Sequence, residues 1–124
     1  MTIGAHILIV EDGALVVSAL RILLEDAGHR VSDAGSVRDA LETARRDRPD
    51  IMLLDLSLPD GDGLSILESL SADGMAPRVT VAVTGRDEPH VIARCKRLGC
   101  REILIKPMNA MALPGQIAEW LAND

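Results

Sequence analysis

Ile51-Met52-Leu53-Leu54-Asp55-Leu56-Ser57-Leu58-Pro59-Asp60-Gly61-Asp62-Gly63 decides how the rest of the chain is read. Four apolar residues run into one acid, and a Pro/Gly/Asp cluster follows. A short apolar run bounded by turn residues reads as a strand buried on both faces, the habit of parallel sheets. Asp55 then stands at the carboxyl end of its strand, the edge at which open α/β sheets bind ligands. A carboxylate in that place is costly to desolvate unless a cation or hydrogen-bond donors meet it.

Working outward, the same pattern repeats on either side. His6 to Val10 reads as a first strand ending in Glu11-Asp12, and Ala14 to Ala27 as a helix with Val16, Leu20, Leu23, Leu24 and Ala27 at helical spacing. Gly28 is placed to stop that helix. Arg30 to Ala34 is a weaker strand, with Val31 its only large apolar residue. Ser36 caps a second helix whose stripe is Val37, Ala40, Leu41 and Ala44, closed by Arg45-Arg46-Asp47-Arg48-Pro49. After the central strand, Gly63 to Ser71 reads as a third helix and Arg78 to Val83 as a fourth strand ending in Thr84-Gly85. Pro89 opens a fourth helix that runs to about Leu98. Arg101 to Ile105 is the fifth strand and ends in Lys106-Pro107. Asn109 is placed to cap a last helix running to about Leu121, but Pro114 lies inside it, and an interior proline costs ~3 kcal/mol. Either the helix begins near Pro114 or a loose turn precedes it.

Five strand-helix units joined by short connections predict a single α/β domain, a doubly wound (βα)5 fold with a five-stranded parallel sheet. Every strand then ends on one edge. The first, third, fourth and fifth bring Glu11 and Asp12, Asp55, Thr84 and Lys106 to it, while the second, ending in Ala34, brings nothing comparable.

Composition removes several function classes. The 124 residues suffice for one domain and a proper core. Phe and Tyr are absent and Trp120 is the single aromatic, so that core is aliphatic. A net charge of -6 argues against binding a nucleic-acid backbone and fits a protein that takes up a cation. Cys95 and Cys100 have no metal-type spacing and read as two small hydrophobes in a reducing compartment. His6, His29 and His90 lie too far apart in sequence to suggest a metal site. No apolar run approaches the ~20 residues of a membrane span, and the N-terminus lacks a signal-peptide pattern. The expected compartment is the cytoplasm, with no membrane partner.

Three carboxylates, one ammonium and a hydroxyl on one edge form a definite chemistry. Two like charges ~4 Å apart repel by about 4 kcal/mol at an effective dielectric near 20, so three acids need compensation. Lys106 offsets one charge. The remainder suits a hard divalent cation, Mg²⁺ or Mn²⁺, on carboxylate, carbonyl and water oxygens. A metal ion, a free carboxylate, a lysine and a hydroxyl together are a kit for phosphoryl transfer.

In the pair Glu11-Asp12, the acceptor-like Asp55 with Leu58-Pro59-Asp60-Gly61, the hydroxyl Thr84 and Lys106-Pro107, the chain resembles a response-regulator receiver domain of two-component signalling, similar to the chemotaxis regulators. The resemblance covers essentially residues 1–124, read as one receiver domain with no output domain in this chain. It implies a flavodoxin-like fold with strand order 2-1-3-4-5. It implies that Asp55 accepts a phosphoryl group from a histidine kinase or a histidine phosphotransfer protein. Asp12, Asp55 and the backbone carbonyl of Ser57 would bind Mg²⁺, with Glu11 helping through the metal or its water. Lys106 would pair with Asp55 and then with the phosphoryl group, across a cis bond to Pro107, and Thr84 would hydrogen-bond that group. The face of the fourth helix, fifth strand and fifth helix would meet a downstream partner, with the chain a monomer or a phosphorylation-dependent dimer. The implied role is a switch and not an enzyme: a stand-alone regulator, a phosphorelay carrier or a fragment of a larger regulator or hybrid kinase.

Two positions depart from the family pattern. Ile103 stands where an aromatic often swings inward, and Pro114 falls in the last helix. Ser57 and Arg86 sit two residues past Asp55 and Thr84, where side chains tune phosphoryl lifetime in such proteins; an exposed loop arginine is an equal reading of Arg86.

Each motif also has a plain structural reading. Asp55 could be a strand-end acid, Glu11-Asp12 a helix cap, Thr84-Gly85 a turn and Lys106 a structural ion pair. The four together favour function. Arg94, Lys96, Arg97 and Arg101 read as a solvated basic face with a partner surface as the alternative. The alternative of an aspartyl phosphohydrolase is disfavoured, since dehalogenase-like phosphatases place a second acid two residues past the nucleophile, where Ser57 stands here. A partner-binding domain without phosphorylation would not need the full set. No P-loop sequence occurs.

Overall fold

The computed structural model describes residues 4–123, so positions 1–3 and 124 of the expected domain lie outside it. In order the elements are β1 (His6–Val10), α1 (Ala14–Asp26), β2 (Arg30–Ala34), α2 (Val37–Asp47), β3 (Ile51–Asp55) and the two-residue strands β4 (Ser57–Leu58) and β5 (Gly61–Asp62). Then come α3 (Leu64–Ala72), β6 (Val79–Thr84), α4 (Pro89–Arg97), β7 (Glu102–Ile105), a 3₁₀ turn (Ala110–Ala112) and α5 (Leu113–Ala122). The five longer strands pair in parallel as β2-β1-β3-β6-β7, the expected 2-1-3-4-5 order of the main sheet. The antiparallel ribbon of β4 and β5 was not anticipated from the sequence.

Strand alternation divides the core in two. Ile7, Ile9, Ile51, Leu53, Val79 and Val81 face one side and pack with Leu20 and Leu24 of α1 and with Ile117 and Trp120 of α5. Leu8, Val10, Met52, Leu54 and Ala82 face the other and pack with residues of α2, α3 and α4. Period-two alternation with both faces apolar is why these strands read as continuous hydrophobic runs. Full burial of each such side chain contributes about 1.5–3 kcal/mol, so the central strands are rigid supports for whatever stands at their ends. Cys95 is buried and Cys100 half-buried in this second layer. Burial, with Cys95 adjacent, pushes the Cys100 thiol up to about 12, which agrees with two inert hydrophobes.

The helix ends follow local chemistry. Ser36 Oγ accepts the Asp39 N–H at 3.1 Å, as a capping residue should. Asp60, reaching over from the loop after β3, accepts the Val37 and Arg38 N–H groups at 2.7 and 3.2 Å and fastens that loop to the start of α2. Those backbone donors hold the Asp60 carboxyl below its usual range. Gly28 ends the first helix region at φ 96°, a conformation that suits glycine. Both readings of the last helix are realised. Asn109 Oδ1 accepts the Met111 N–H at 3.2 Å over a 3₁₀ turn, and the α-helix proper then starts with Pro114 in its first turn.

The stripe expected on α1 is only partly covered. Leu20 and Leu24 are buried, but Val16 is 47% exposed. A groove of about 540 Å³ opens beside it, lined by Val16, Ala19, Leu20, Met108 and Ala110 and reaching Asp55 and Lys106. With no Phe or Tyr in the chain, the apolar part of the groove's lining is short aliphatic groups, one proline and one methionine.

At the other edge of the sheet, His29 is buried and its Nδ1 accepts the Ala5 N–H at 3.0 Å. Burial lowers its pKa from the ordinary value of roughly 6.5. The unfolded chain therefore binds a proton more readily, so the stabilisation is complete above about pH 6.5 and is lost as pH falls through the folded-state pKa. Urea midpoints should fall between pH 7.5 and 5.5 by more in the wild type than in His29→Asn, whose amide oxygen can still accept from Ala5. Equal falls would remove His29 from the acid response.

Candidate functional site

Glu11 and Asp12 follow β1 directly, and Asp55 ends β3 beside them. Consecutive residues of an extended chain point to opposite sides, and this separates the acidic pair. Glu11 turns inward and is 9% exposed, whereas Asp12 is exposed to solvent. Asp55 is 7% exposed. One carboxylate oxygen from each of the three lies within 4.8 Å of the others, which no reading of spacing alone could establish.

Lys106, the residue after β7, reaches back between two of them. Its Nζ stands 3.2 Å from Glu11 Oε1 and 3.3 Å from Asp55 Oδ2. Burial pulls the ammonium down, but the hydrogen bond to Glu11 and the charges of Asp55 and Glu11 outweigh it and raise its pKa. The expected partner of Lys106 was Asp55; Glu11 is a second one. The inward turn of the first residue of an acidic pair was the available signal. The other oxygens are also engaged: Asp55 Oδ1 accepts the Ser57 N–H, and Glu11 Oε2 the Gly13 N–H, both at 3.0 Å.

Thr84, at the end of β6, is buried next to this cluster in the sheet order, one residue beyond the Asp55–Val83 pair. Its Oγ1 accepts the Arg86 N–H at 3.0 Å. Arg86 itself pairs with Glu88 at 3.2 Å. Lys106-Pro107 is cis, as the resemblance implied. Gly63 has a plain reason to be glycine: a Cβ there would lie 2.1 Å from the Asp55 carbonyl oxygen. Ile103 is half-buried and packs on the α2–α4 side of the core. The basic group near α4 does not form one patch. Arg94 pairs with Asp62 and Glu68, Arg101 donates to the Trp120 carbonyl at 3.3 Å, and Lys96 and Arg97 are exposed.

Three carboxylates face one ammonium. At separations of 4.8 Å or less, each pair of acids repels by about 3.5 kcal/mol or more at an effective dielectric near 20. Hard oxygen donors with this excess of charge fit a small divalent cation, with waters completing its shell. Lys106→Met should lower the thermal midpoint in metal-free buffer. The expected loss is about 1–2 kcal/mol, less than for breaking a fully buried pair because the Lys106 side chain is 38% exposed. Added Mg²⁺ should narrow the gap. Equal midpoints without metal would mean that Lys106 does not offset the acids.

Known proteins resemble this chain in sequence and share its fold. A profile of the response regulator receiver domain matches residues 7–118. PilH of Pseudomonas aeruginosa is 33% identical over 120 residues, which cover 96% of this chain and 99% of PilH. The transcriptional regulatory protein PhoP of Escherichia coli O157:H7 is 44% identical over 104 residues, 84% of this chain but only 46% of PhoP. The receiver domain of the Pseudomonas aeruginosa sensor histidine kinase PA1611, with magnesium coordinated in its active-site cleft, superposes with a TM-score of 0.83 at 28% identity, over 96% of this chain and 98% of that one. A CheY-like receiver domain protein of Methanospirillum hungatei gives 0.87 at 26%, over 98% and 96%. Among the described residues no helix is long and apolar enough to cross a membrane. The chain belongs to the response regulator receiver domain family, the phosphoryl-accepting signal receivers of two-component systems, which work with histidine kinases and downstream effectors.

Proposed function

We propose that Asp55 is the phosphoryl acceptor of this receiver, taking the group from a phosphohistidine on a histidine kinase or a histidine phosphotransfer protein. The observation that carries the reading is the nearly buried Asp55 carboxylate, grouped with Glu11 and Asp12 and held 3.3 Å from Lys106 at the sheet's carboxyl edge. A carboxylate oxygen of Asp55 attacks phosphorus as the P–N bond breaks, and the imidazole nitrogen leaves with the bonding electrons. Lys106 balances charge on the equatorial oxygens, and the Thr84 hydroxyl turns to donate to the bound group. Asp12, Asp55 and the Ser57 carbonyl would hold Mg²⁺, or Mn²⁺ in its place, with Glu11 acting through a bound water. The metal supplies neutralisation of the phosphoryl oxygens.

Residues 1–124 are then one receiver domain, supported by the nearly complete span of PilH. The product is a signal and not a released chemical, so the chain acts as a switch in the cytoplasm, where its donors act. Its downstream contact lies on the face of α4, β7 and α5. Incubation with acetyl phosphate, read by intact mass, tests the assignment. One phosphoryl adduct is expected, dependent on Mg²⁺ and lost in Asp55→Asn. An adduct of equal yield in Asp55→Asn would move the acceptor elsewhere.

A further inference from the structure

We propose that Arg94 is a latch on α4, one that phosphoryl engagement at Asp55 must release; this rests on the reading of Asp55 as acceptor. The Arg94 guanidinium on α4 donates to two carboxylates on other elements, Asp62 of the β4–β5 ribbon and Glu68 of α3. The Asp62 end is held in place. Its other oxygen accepts the Leu64 N–H at 3.0 Å, and it pairs across the ribbon with Ser57, whose N–H is bonded to Asp55. A chain of direct contacts therefore runs from the acceptor carboxylate to the middle of α4.

A second route enters α4 from its start. Thr84 Oγ1 holds the Arg86 N–H, Arg86 pairs with Glu88, and Glu88 immediately precedes Pro89, the first residue of the helix. When the Thr84 hydroxyl turns towards a phosphoryl group, the oxygen that accepts the Arg86 N–H moves, and the segment leading into α4 moves with it. The Arg94 contacts are tied to the ribbon and α3; Asp60 in the ribbon's turn is fastened to the start of α2, and Asp62 accepts the first N–H of α3. The two routes then make opposing demands on one helix.

Linkage fixes the sign of the effect. A ligand that favours the switched arrangement must overcome whatever holds the other one, so removing the latch raises the ligand's apparent affinity. Two partly exposed ion pairs correspond to an increase of roughly three- to tenfold. The test is a beryllofluoride titration at saturating Mg²⁺, followed by amide NMR at Gly85 and along α4, for wild type, Arg94→Met and Glu68→Gln. The half-saturating concentration should fall by that factor in Arg94→Met and by a smaller one in Glu68→Gln, with Mg²⁺ affinity unchanged in both. An unchanged or higher concentration in Arg94→Met, with wild type responding, overturns the latch alone. A wild type that takes up no beryllofluoride overturns the acceptor reading and the latch with it.

Discussion

The arrangement depends on one unbalanced contact, a single lysine set between two nearly buried carboxylates with a third acid beside them. Lys106 follows the last strand of the sheet, Glu11 follows the first and Asp55 ends the third. Only a parallel sheet brings these three ends together, because every strand then delivers its carboxyl terminus to the same edge. The stability of that edge and its chemistry are therefore one problem. The acids repel, Lys106 offsets part of the repulsion, and the remainder is what gives the site its demand for a cation.

The scaffold meets this demand by being rigid where the site is charged. Ile51 to Leu54 alternate into the two core layers, so Asp55 cannot shift along its strand without exposing apolar groups on both sides. Gly63 lies against the Asp55 carbonyl and Asp60 fastens the intervening loop to α2. The Thr84 backbone is likewise fixed in the sheet, its carbonyl accepting the Lys106 N–H at 2.7 Å, but its hydroxyl is held only through the Arg86 N–H, on a loop with an exposed pair of Arg86 with Glu88. A fixed acceptor beside a loosely held hydroxyl is a natural division of labour in a switch: one side keeps its geometry while the other changes partners.

Most of this frame was legible in the sequence, because buried parallel strands leave an unmistakable trace. Runs such as Ile51-Met52-Leu53-Leu54 need no tertiary information, and Gly28 marks its helix end by backbone chemistry alone. Pro114 left two readings open, and the chain uses both, a capped 3₁₀ turn followed by a helix that accepts proline in its first turn. The stripe on α1 was over-read, since periodicity says which face is apolar but not whether neighbouring side chains are long enough to cover it. The contacts of Arg94 with Asp62 and Glu68 could not be seen at all. They join residues 32 and 26 positions apart, and in sequence Arg94 is simply one of several cations near a helix end. The dual pairing of Lys106 with Glu11 and Asp55 was half legible for the same reason.

The most direct measurement is a Mg²⁺ titration of the whole chain followed by backbone amide NMR. The charge account predicts saturable shifts concentrated at Glu11, Asp12, Gly13, Asp55 and Ser57. Asp12→Asn should weaken them, and the far edge around His29 should stay still. Shifts scattered over the acidic surface without saturation, or none at Asp55 and Ser57, would contradict the claim that these carboxylates form one cation-demanding site.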